Sequence, residues 1–398
     1  MGYIGNQITT VFPSSVTVDK INDVTYVPNP PSGQITGRRN LIINGAMNVA
    51  QRATSATGLG GDGFTYNTVD RFKNVMAGSS AGRYTQTQTA VTDLPGFANC
   101  LKFDCTTADT SIAADEILQF GQYFEGQDVQ QLKKGTSDAE KVTASFYVKG
   151  NASATYTCEL EDADNTRYNA QTFSVTTSWN RVVLTFNADT TGTLDDDNAN
   201  SLRLNIFLHA GSTYTGGTFS SNTWQTTNNQ RASSSQTSFY DSTDRTFFIT
   251  GVQLEVGSTA TPFEHRSFGE EQALCMRYYQ KIADGDEPTS SLVSDPAAQT
   301  IANMAAYSST AIFGVLDLAV RMRAEPTIDL TSGTDYYTFL RNGTNDAFNS
   351  FILVRSQYDR LELYAVNSTN GSLSHTAGHA GWMRINNASA YFAVSAEL

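Results

Sequence analysis

Residues 202–209 read Leu-Arg-Leu-Asn-Ile-Phe-Leu-His, in which apolar and polar side chains alternate with a period of two. Alternation of this kind is typical of a β-strand with one buried face. The predicted buried set is Leu202, Leu204, Ile206 and Leu208, and the opposite set is Arg203, Asn205 and His209. The runs 142–149 and 247–256 alternate in the same way. In 142–149 the predicted buried set is Val142, Ala144, Phe146 and Val148, and in 247–256 it is Phe248, Thr250, Val252, Leu254 and Val256.

Comparable runs recur along most of the chain. Together with a candidate at 40–49 they give about eight strands before residue 265, separated by loops rich in Gly, Asn, Asp and Thr. Such a series favours an antiparallel jelly-roll β-sandwich over residues 40–266. Strand candidates return after residue 310 and predict a smaller C-terminal β-sandwich over residues 297–398. We therefore expect an all-β protein.

One segment between the two sandwiches has a different period. Ser267 followed by Glu270 fits a capping box, and Leu274, Tyr278 and Ile282 then recur every four residues. This spacing predicts a short linking helix at 268–282. The polar residues after it predict a linker, so residues 267–296 would connect the two domains.

Residues 1–39 form a separate segment. Short apolar groups alternate with polar ones, and three prolines follow at 28, 30 and 31. Such a segment cannot bury enough surface to fold alone, so we expect an extended peptide that becomes ordered on a partner, by adding a strand to a sheet edge. The anchoring side chains would be Tyr3, Ile4, Val11 and Phe12.

The charge balance argues against two classes of partner. The 398 residues include 26 Lys and Arg against 39 Asp and Glu, a net charge of -13. No basic cluster is longer than the pairs Arg38-Arg39 and Lys133-Lys134, so little would attract a phosphate backbone. No stretch of about 18 apolar residues occurs either. We expect no nucleic-acid partner and no membrane insertion, and synthesis in a cytoplasm.

Eight blocks of the sequence carry a resemblance to known proteins. They are 39–52 (RNLIINGAMNVAQR), 66–72 (YNTVDRF), 121–126 (GQYFEG), 189–194 (DTTGTL), 249–266 (ITGVQLEVGSTATPFEHR), 275–280 (CMRYYQ), 322–327 (MRAEPT) and 394–398 (VSAEL). These blocks resemble a family of marine and cyanobacterial phage tail-fibre proteins. The similarity covers most of residues 39–398, and the long block ending at Arg266 is the most specific.

The resemblance implies a virion appendage with a body similar to carbohydrate-binding modules of the jelly-roll type. It also implies a homotrimer that recognises a glycan on the host surface. In such an appendage, the partner that we expect for residues 1–39 is another virion protein of the tail. Phe72 stands where the family usually has Trp, and residues 1–39 show no heptad repeat of a fibre shaft. Two alternatives are a head-attached capsid fibre or decoration protein and a tail-associated polysaccharide depolymerase.

Candidate catalytic residues are few. Glycoside hydrolysis needs two carboxyl groups across a cleft, and the acids clustered in one strand-to-turn region are Glu159, Glu161, Asp162 and Asp164. We expect these four acids to be solvated side chains of a surface turn rather than a catalytic pair. His375 and His379 have metal-like spacing, but glycine-rich flanks predict a solvated loop. We expect no enzyme activity and no catalytic residue.

Binding residues are easier to nominate. Sugars stack on exposed aromatic faces, and the candidates are Tyr214, Trp224 and Trp382. The alternative for each is an aromatic side chain in a loop that packs on its own sandwich. Trp179 precedes a strand and is assigned to the core. The run Asp195, Asp196 and Asp197 offers oxygen ligands for a structural Ca²⁺, or is a solvated turn. No other cofactor is expected.

Overall fold

The computed structural model describes residues 20–21, 24–25, 38–285, 299–371 and 373–398. The predicted anchor residues Tyr3, Ile4, Val11 and Phe12 lie outside these ranges, as does most of the segment 1–37. In that segment the structure describes only the antiparallel pairing of β1 (Lys20–Ile21) with β2 (Val24–Thr25).

The first sandwich consists of two six-stranded antiparallel sheets. Its strands are β3 (Ser55–Leu59), β4 (Gly63–Thr65), β5 (Lys73–Ala77), β6 (Arg83–Ala90), β7 (Asn99–Thr107), β8 (Ile117–Glu125), β9 (Val142–Gly150), β10 (Ala154–Asp162), β11 (Arg167–Val175), β12 (Asn180–Phe186), β13 (Asn200–Ala210) and β14 (Thr246–Val256). The strand orders are β11-β10-β13-β8-β5-β4 and β12-β9-β14-β7-β6-β3. The chain crosses repeatedly between the sheets, as in a jelly roll, and the predicted class is confirmed.

The predicted faces of two strands are confirmed and that of a third is half wrong. The predicted apolar sets of β9 and β13 lie in the core between the sheets. In β14, however, Phe247 and Ile249 enter the core with Val252 and Leu254, while Phe248 does not. The cause is a bulge at Gly251, which has a φ of +61° and shifts the register between Thr250 and Gln253. One extra residue moves the preceding side chains to the other face.

Residues 40–49 are not a strand, contrary to the prediction. Asn44 and Met47 have positive φ values of 62° and 58°, which an extended strand does not allow. A side chain supplies hydrogen bonds that strand pairing would otherwise provide, since Asn40 Oδ1 accepts from the backbone N–H groups of Ile42 and Leu254. Ile42 and Met47 of this segment still pack into the core.

Short helices connect the strands. The 3-10 helices are Gly126–Asp128, Gln130–Leu132, Asn228–Gln230 and Phe239–Asp241, and α1 (Ser212–Thr215) is a single turn. The predicted linking helix is α2 (Phe268–Met276), with Ser267 Oγ accepting from the Glu270 N–H at 3.3 Å. It is shorter than predicted because residues 279–284 pair as a strand with the last strand of the chain.

The second sandwich packs a three-stranded sheet on a seven-stranded one around its own apolar core. Its strands are β15 (Tyr279–Asp284), β16 (Thr300–Ala306), β17 (Ala311–Asp317), β18 (Thr327–Leu330), β19 (Tyr337–Arg341), β20 (Thr344–Phe348), β21 (Ile352–Gln357), β22 (Arg360–Val366), β23 (Ala380–Ile385) and β24 (Tyr391–Ser395). The helix α3 (Asn367–Asn370) follows β22. The sheet orders are β15-β24-β18 and β20-β19-β23-β16-β17-β22-β21. The prediction of an all-β protein with a smaller second sandwich is confirmed.

Buried charged groups join the two sandwiches. Glu125, at the end of β8, accepts hydrogen bonds from Tyr278 Oη at 2.6 Å and from Arg277 Nη2 at 2.8 Å. Arg71 pairs with Glu397, and its guanidinium lies 3.3 Å from the centroid of the Tyr278 ring. Glu125 and Arg71 are almost fully buried. Buried charges need such partners, so these contacts fix one sandwich against the other.

Candidate functional site

The most accessible of the three nominated aromatic residues is Trp382, whose surface is 55% exposed. It lies on β23, inside the seven-stranded sheet, where Met383 and Ile385 point into the core. The period of two therefore places the indole on the outer face. Across the sheet its direct neighbours are Asn303 on β16 and Leu340 on β19.

A groove of about 530 Å³ surrounds this indole. Its lining residues are Asn303, Met304, Leu340, Arg341, Asn342, Gly343, Ala380, Gly381 and Trp382. The lining combines an aromatic face and aliphatic groups with two amides and one guanidinium, and none of its members is a carboxylate. These groups can stack and hydrogen-bond, but they include no acid–base pair for hydrolysis. We call this feature the Trp382 groove.

A tight turn and a glycine shape the groove. Asn342 and Gly343 have φ values of 44° and 73°, the combination that a two-residue β-hairpin turn between β19 and β20 requires. Gly381 lets β19 approach, because a Cβ there would lie 2.4 Å from the Leu340 carbonyl oxygen. Both features hold one wall of the groove close to Trp382.

The positive charge in the groove is held in place. Arg341 donates to Asp346 Oδ2 at 2.9 Å and to the Ser374 carbonyl oxygen at 2.7 Å. His375 is buried, with Nδ1 3.2 Å from the same Asp346 oxygen, so the prediction of a solvated loop was wrong for this histidine. Asp346 thus fixes the guanidinium and balances its charge.

Tyr214 and Trp224 belong to the first sandwich, so the structure does not bring them together with Trp382. Tyr214, on α1, packs on a small cluster that includes Phe207. Trp224 packs against the main core and donates from Nε1 to the Asn187 carbonyl oxygen at 2.7 Å. Both rings are half-buried. Each covers the sandwich beneath its own loop, and their role in sugar binding stays a prediction.

Trp179 is not a core residue, contrary to its assignment from the sequence. It is half-buried, its Nε1 donates to Asp93 Oδ1 at 2.8 Å, and Lys149 Nζ lies 5.0 Å from its ring centroid. The contacts with Lys149 and Asp93 keep the indole at the surface. Its position just before β12, rather than within the strand, explains the error.

Three acids that were predicted to lie in a surface turn are buried in β10: Glu159, Glu161 and Asp162. Arg231, from the loop that follows α1, donates to both Glu159 oxygens at 2.8 and 2.6 Å and to Glu161 at 3.0 Å. Asn205 donates to Glu159 and Glu161 as well. Burial raises the pKa of Glu159, while the Arg231 charge opposes this rise. We call Arg231, Asn205, Glu159 and Glu161 the Arg231 cluster.

The Arg231 cluster has a structural rather than a catalytic geometry. Its two glutamate side chains share one arginine, so they do not face each other across an open cleft as glycosidase carboxylates do. The sequence could not show this, because Arg231 lies 72 residues after Glu159. The cluster ties the loop after α1 to the sheet.

The three consecutive aspartates lie exposed in one turn. Asp197 Oδ1 accepts from the Ala199 N–H, and the Asp195 N–H donates to Asp164 Oδ2. In the described ranges no group of three or more His, Cys, Asp or Glu side chains comes together to hold a metal. The proposed Ca²⁺ at Asp195, Asp196 and Asp197 stays a prediction. In the same ranges no helix is both long and apolar enough to span a membrane.

Comparison with known proteins gives only distant likenesses. No protein-family model and no curated protein matches the chain. A family 4 carbohydrate-binding module is 13% identical, with a TM-score of 0.27, over 54% of this chain and 97% of that one. A family 11 module from Clostridium thermocellum, solved with a β-1,3-1,4-mixed-linked tetrasaccharide, is 10% identical, with a TM-score of 0.25, over 52% and 99%.

A tandem pair of family 22 modules from Paenibacillus barcinonensis covers more of the chain. It is 10% identical, with a TM-score of 0.25, over 88% of this chain and 93% of that one. TM-scores this low do not establish a shared fold. The mixed-linked tetrasaccharide is a ligand of the family 11 module. The fold and the candidate site of this chain are inferred from its own residues.

Proposed function

We propose that this chain is a non-enzymatic glycan-binding protein and that the Trp382 groove is its recognition site. The observation that carries the proposal is the exposed indole of Trp382 on the outer face of the seven-stranded sheet, in a groove also lined by the amides of Asn303 and Asn342. Sugar rings present apolar C–H faces that stack on such a surface and hydroxyl groups that pair with amides. A rigid sheet holds these groups in place before the ligand arrives.

The proposed biological role is that of a phage tail fibre that mediates adsorption to the host surface. The resemblance of residues 39–398 to tail-fibre proteins supports this role. In it, residues 1–39 anchor the chain to another virion protein, and a homotrimer presents three grooves. Three weak sites that engage together can bind several orders of magnitude more tightly than one.

Removing the indole should weaken glycan binding. We expect Trp382→Ala to lower affinity at least about tenfold, since loss of ring stacking and of buried apolar area together amounts to about 1.4 kcal/mol or more. The measurement is isothermal titration with soluble polysaccharides, namely mixed-linkage β-glucan, galactan, agarose oligosaccharides and bacterial O-chains. At least one of these should bind the unmodified chain.

Tyr307→Ala is the matched control, because Tyr307 is 74% exposed and does not line the groove. It should leave affinity unchanged. Binding that is equal in Trp382→Ala and the unmodified chain would remove the groove from the proposal. Release of reducing ends from any of these polysaccharides would favour the depolymerase instead.

The virion role has its own test. Antibody labelling of purified particles should place the protein on the tail, and a chain without residues 1–39 should fail to join the particle. Labelling on the head would favour a capsid fibre or decoration protein. Normal incorporation of the shortened chain would contradict the proposed anchor.

A further inference from the structure

A second pocket, of about 220 Å³, lies where the two sandwiches meet. Its lining shares no residue with the Trp382 groove. The lining residues that matter here are Arg52 and Tyr66 of the first sandwich and Tyr279, Lys281, Asp329 and Tyr391 of the second. We call it the junction pocket. Because buried ion pairs fix the two sandwiches together, its walls are preorganised.

Arg52 lines this pocket with its guanidinium, one nitrogen of which has no partner among the described residues. Its guanidinium lies 3.6 Å from the centroid of the Tyr279 ring, and Nη2 is 3.3 Å from Glu397 Oε1. Nη1, however, is buried and has no hydrogen-bond partner within the described ranges. A buried donor without a partner is unfavourable.

The charges of the junction pocket are already balanced. Arg52 faces Glu397, and Lys281 pairs with Asp284. The carboxylate of Asp329 accepts from Tyr391 Oη at 2.8 Å. An anion would therefore gain little net attraction here, whereas a ligand with both hydroxyl donors and oxygen acceptors can use the guanidinium and the carboxylate together.

Size and aromatic walls narrow the ligand class further. The volume corresponds to about seven water molecules, which is the scale of one sugar ring rather than of a chain. Tyr66 and Tyr391 are half-buried, so their rings offer apolar surface to the C–H groups of such a ring. We propose that the junction pocket binds one uncharged sugar ring, independently of the Trp382 groove. This inference rests on the proposed glycan-binding function but not on Trp382.

The test is saturation-transfer NMR of the full chain with D-galactose, D-glucose and L-rhamnose as probes. At least one probe should bind the unmodified chain and should still bind Trp382→Ala, which lacks the indole of the groove. Arg52→Met should weaken that binding at least about tenfold, because the guanidinium that lines the pocket is lost. Arg52→Met also loses the contact with Glu397, so Asp329→Asn and Tyr391→Phe, which keep side-chain volume, are measured beside it, with thermal unfolding as a check of folding. Both should weaken binding.

Three results would overturn the inference. They are no binding of any probe, binding that is lost in Trp382→Ala but kept in Asp329→Asn, and binding of glucuronate or sulfated galactose in place of the neutral probes. Failure of the proposed function would give a different result, because Trp382→Ala would then bind polysaccharide with the same affinity as the unmodified chain. The two outcomes can therefore be told apart.

Discussion

Replacing Arg231 by methionine should lower the free energy of unfolding by about 3–5 kcal/mol. Glu159 has no exposed surface, and Arg231 supplies two of the three donors to its carboxylate. Without the guanidinium a buried carboxylate would keep only Asn205, and its burial would no longer be compensated. Urea unfolding followed by circular dichroism measures the change.

Arg360→Met is the matched control, since Arg360 and its partner Asp317 have 54% and 71% of their side-chain surface exposed. Such exposed pairs contribute little to stability, because water and salt screen them. The double variant Arg231→Met with Glu159→Met should recover part of the loss, because the buried Glu159 charge is then absent and Glu161 keeps its ion pair with Arg203. If Arg231→Met and Arg360→Met cost the same, the Arg231 cluster does not hold the loop to the sheet.

Replacing Glu125 by alanine should separate the unfolding of the two sandwiches. Glu125 is buried and accepts from Arg277 and Tyr278, which lie at the entry to the second sandwich. Its loss leaves the Arg277 charge and the Tyr278 hydroxyl without their acceptor, at a cost of about 3–5 kcal/mol. We expect scanning calorimetry to show one transition for the unmodified chain and two for Glu125→Ala.

Glu362→Ala is the control for Glu125→Ala. Glu362 pairs with Arg355 at the surface, where 75% of the arginine side chain is exposed. This variant should keep a single transition at nearly the same temperature. A single unshifted transition in Glu125→Ala would show that the two sandwiches are not coupled through this carboxylate.

The sequence predicted strands well wherever alternation is uninterrupted, as in β9 and β13. It failed where one backbone conformation overrides the pattern. Gly251 switches the face of β14, and Asn44 and Met47 break the extended run at 40–49. Such positive φ values depend on contacts with distant residues, so a local period does not reveal them.

The candidate site was predictable in part. Alternation with Met383 could place Trp382 on an outer face, and the Asn342-Gly343 pair signals the hairpin that forms one wall. The burial of Glu159 was not predictable, because acids normally face water unless a partner is present. That partner, Arg231, becomes a neighbour only through the fold.

The position of β24 has a consequence for biosynthesis. β24 is the middle strand of its sheet, with β15 on one side and β18 on the other, and Glu397 lies two residues after it. Residues 391–397 leave the ribosome after every other described strand, so the small sheet and the Arg71 pairing must wait for them. The first sandwich, complete by residue 256, can fold while the remainder is being translated. A nascent chain that stalls before residue 391 would therefore carry a finished first domain joined to an open, aggregation-prone second one.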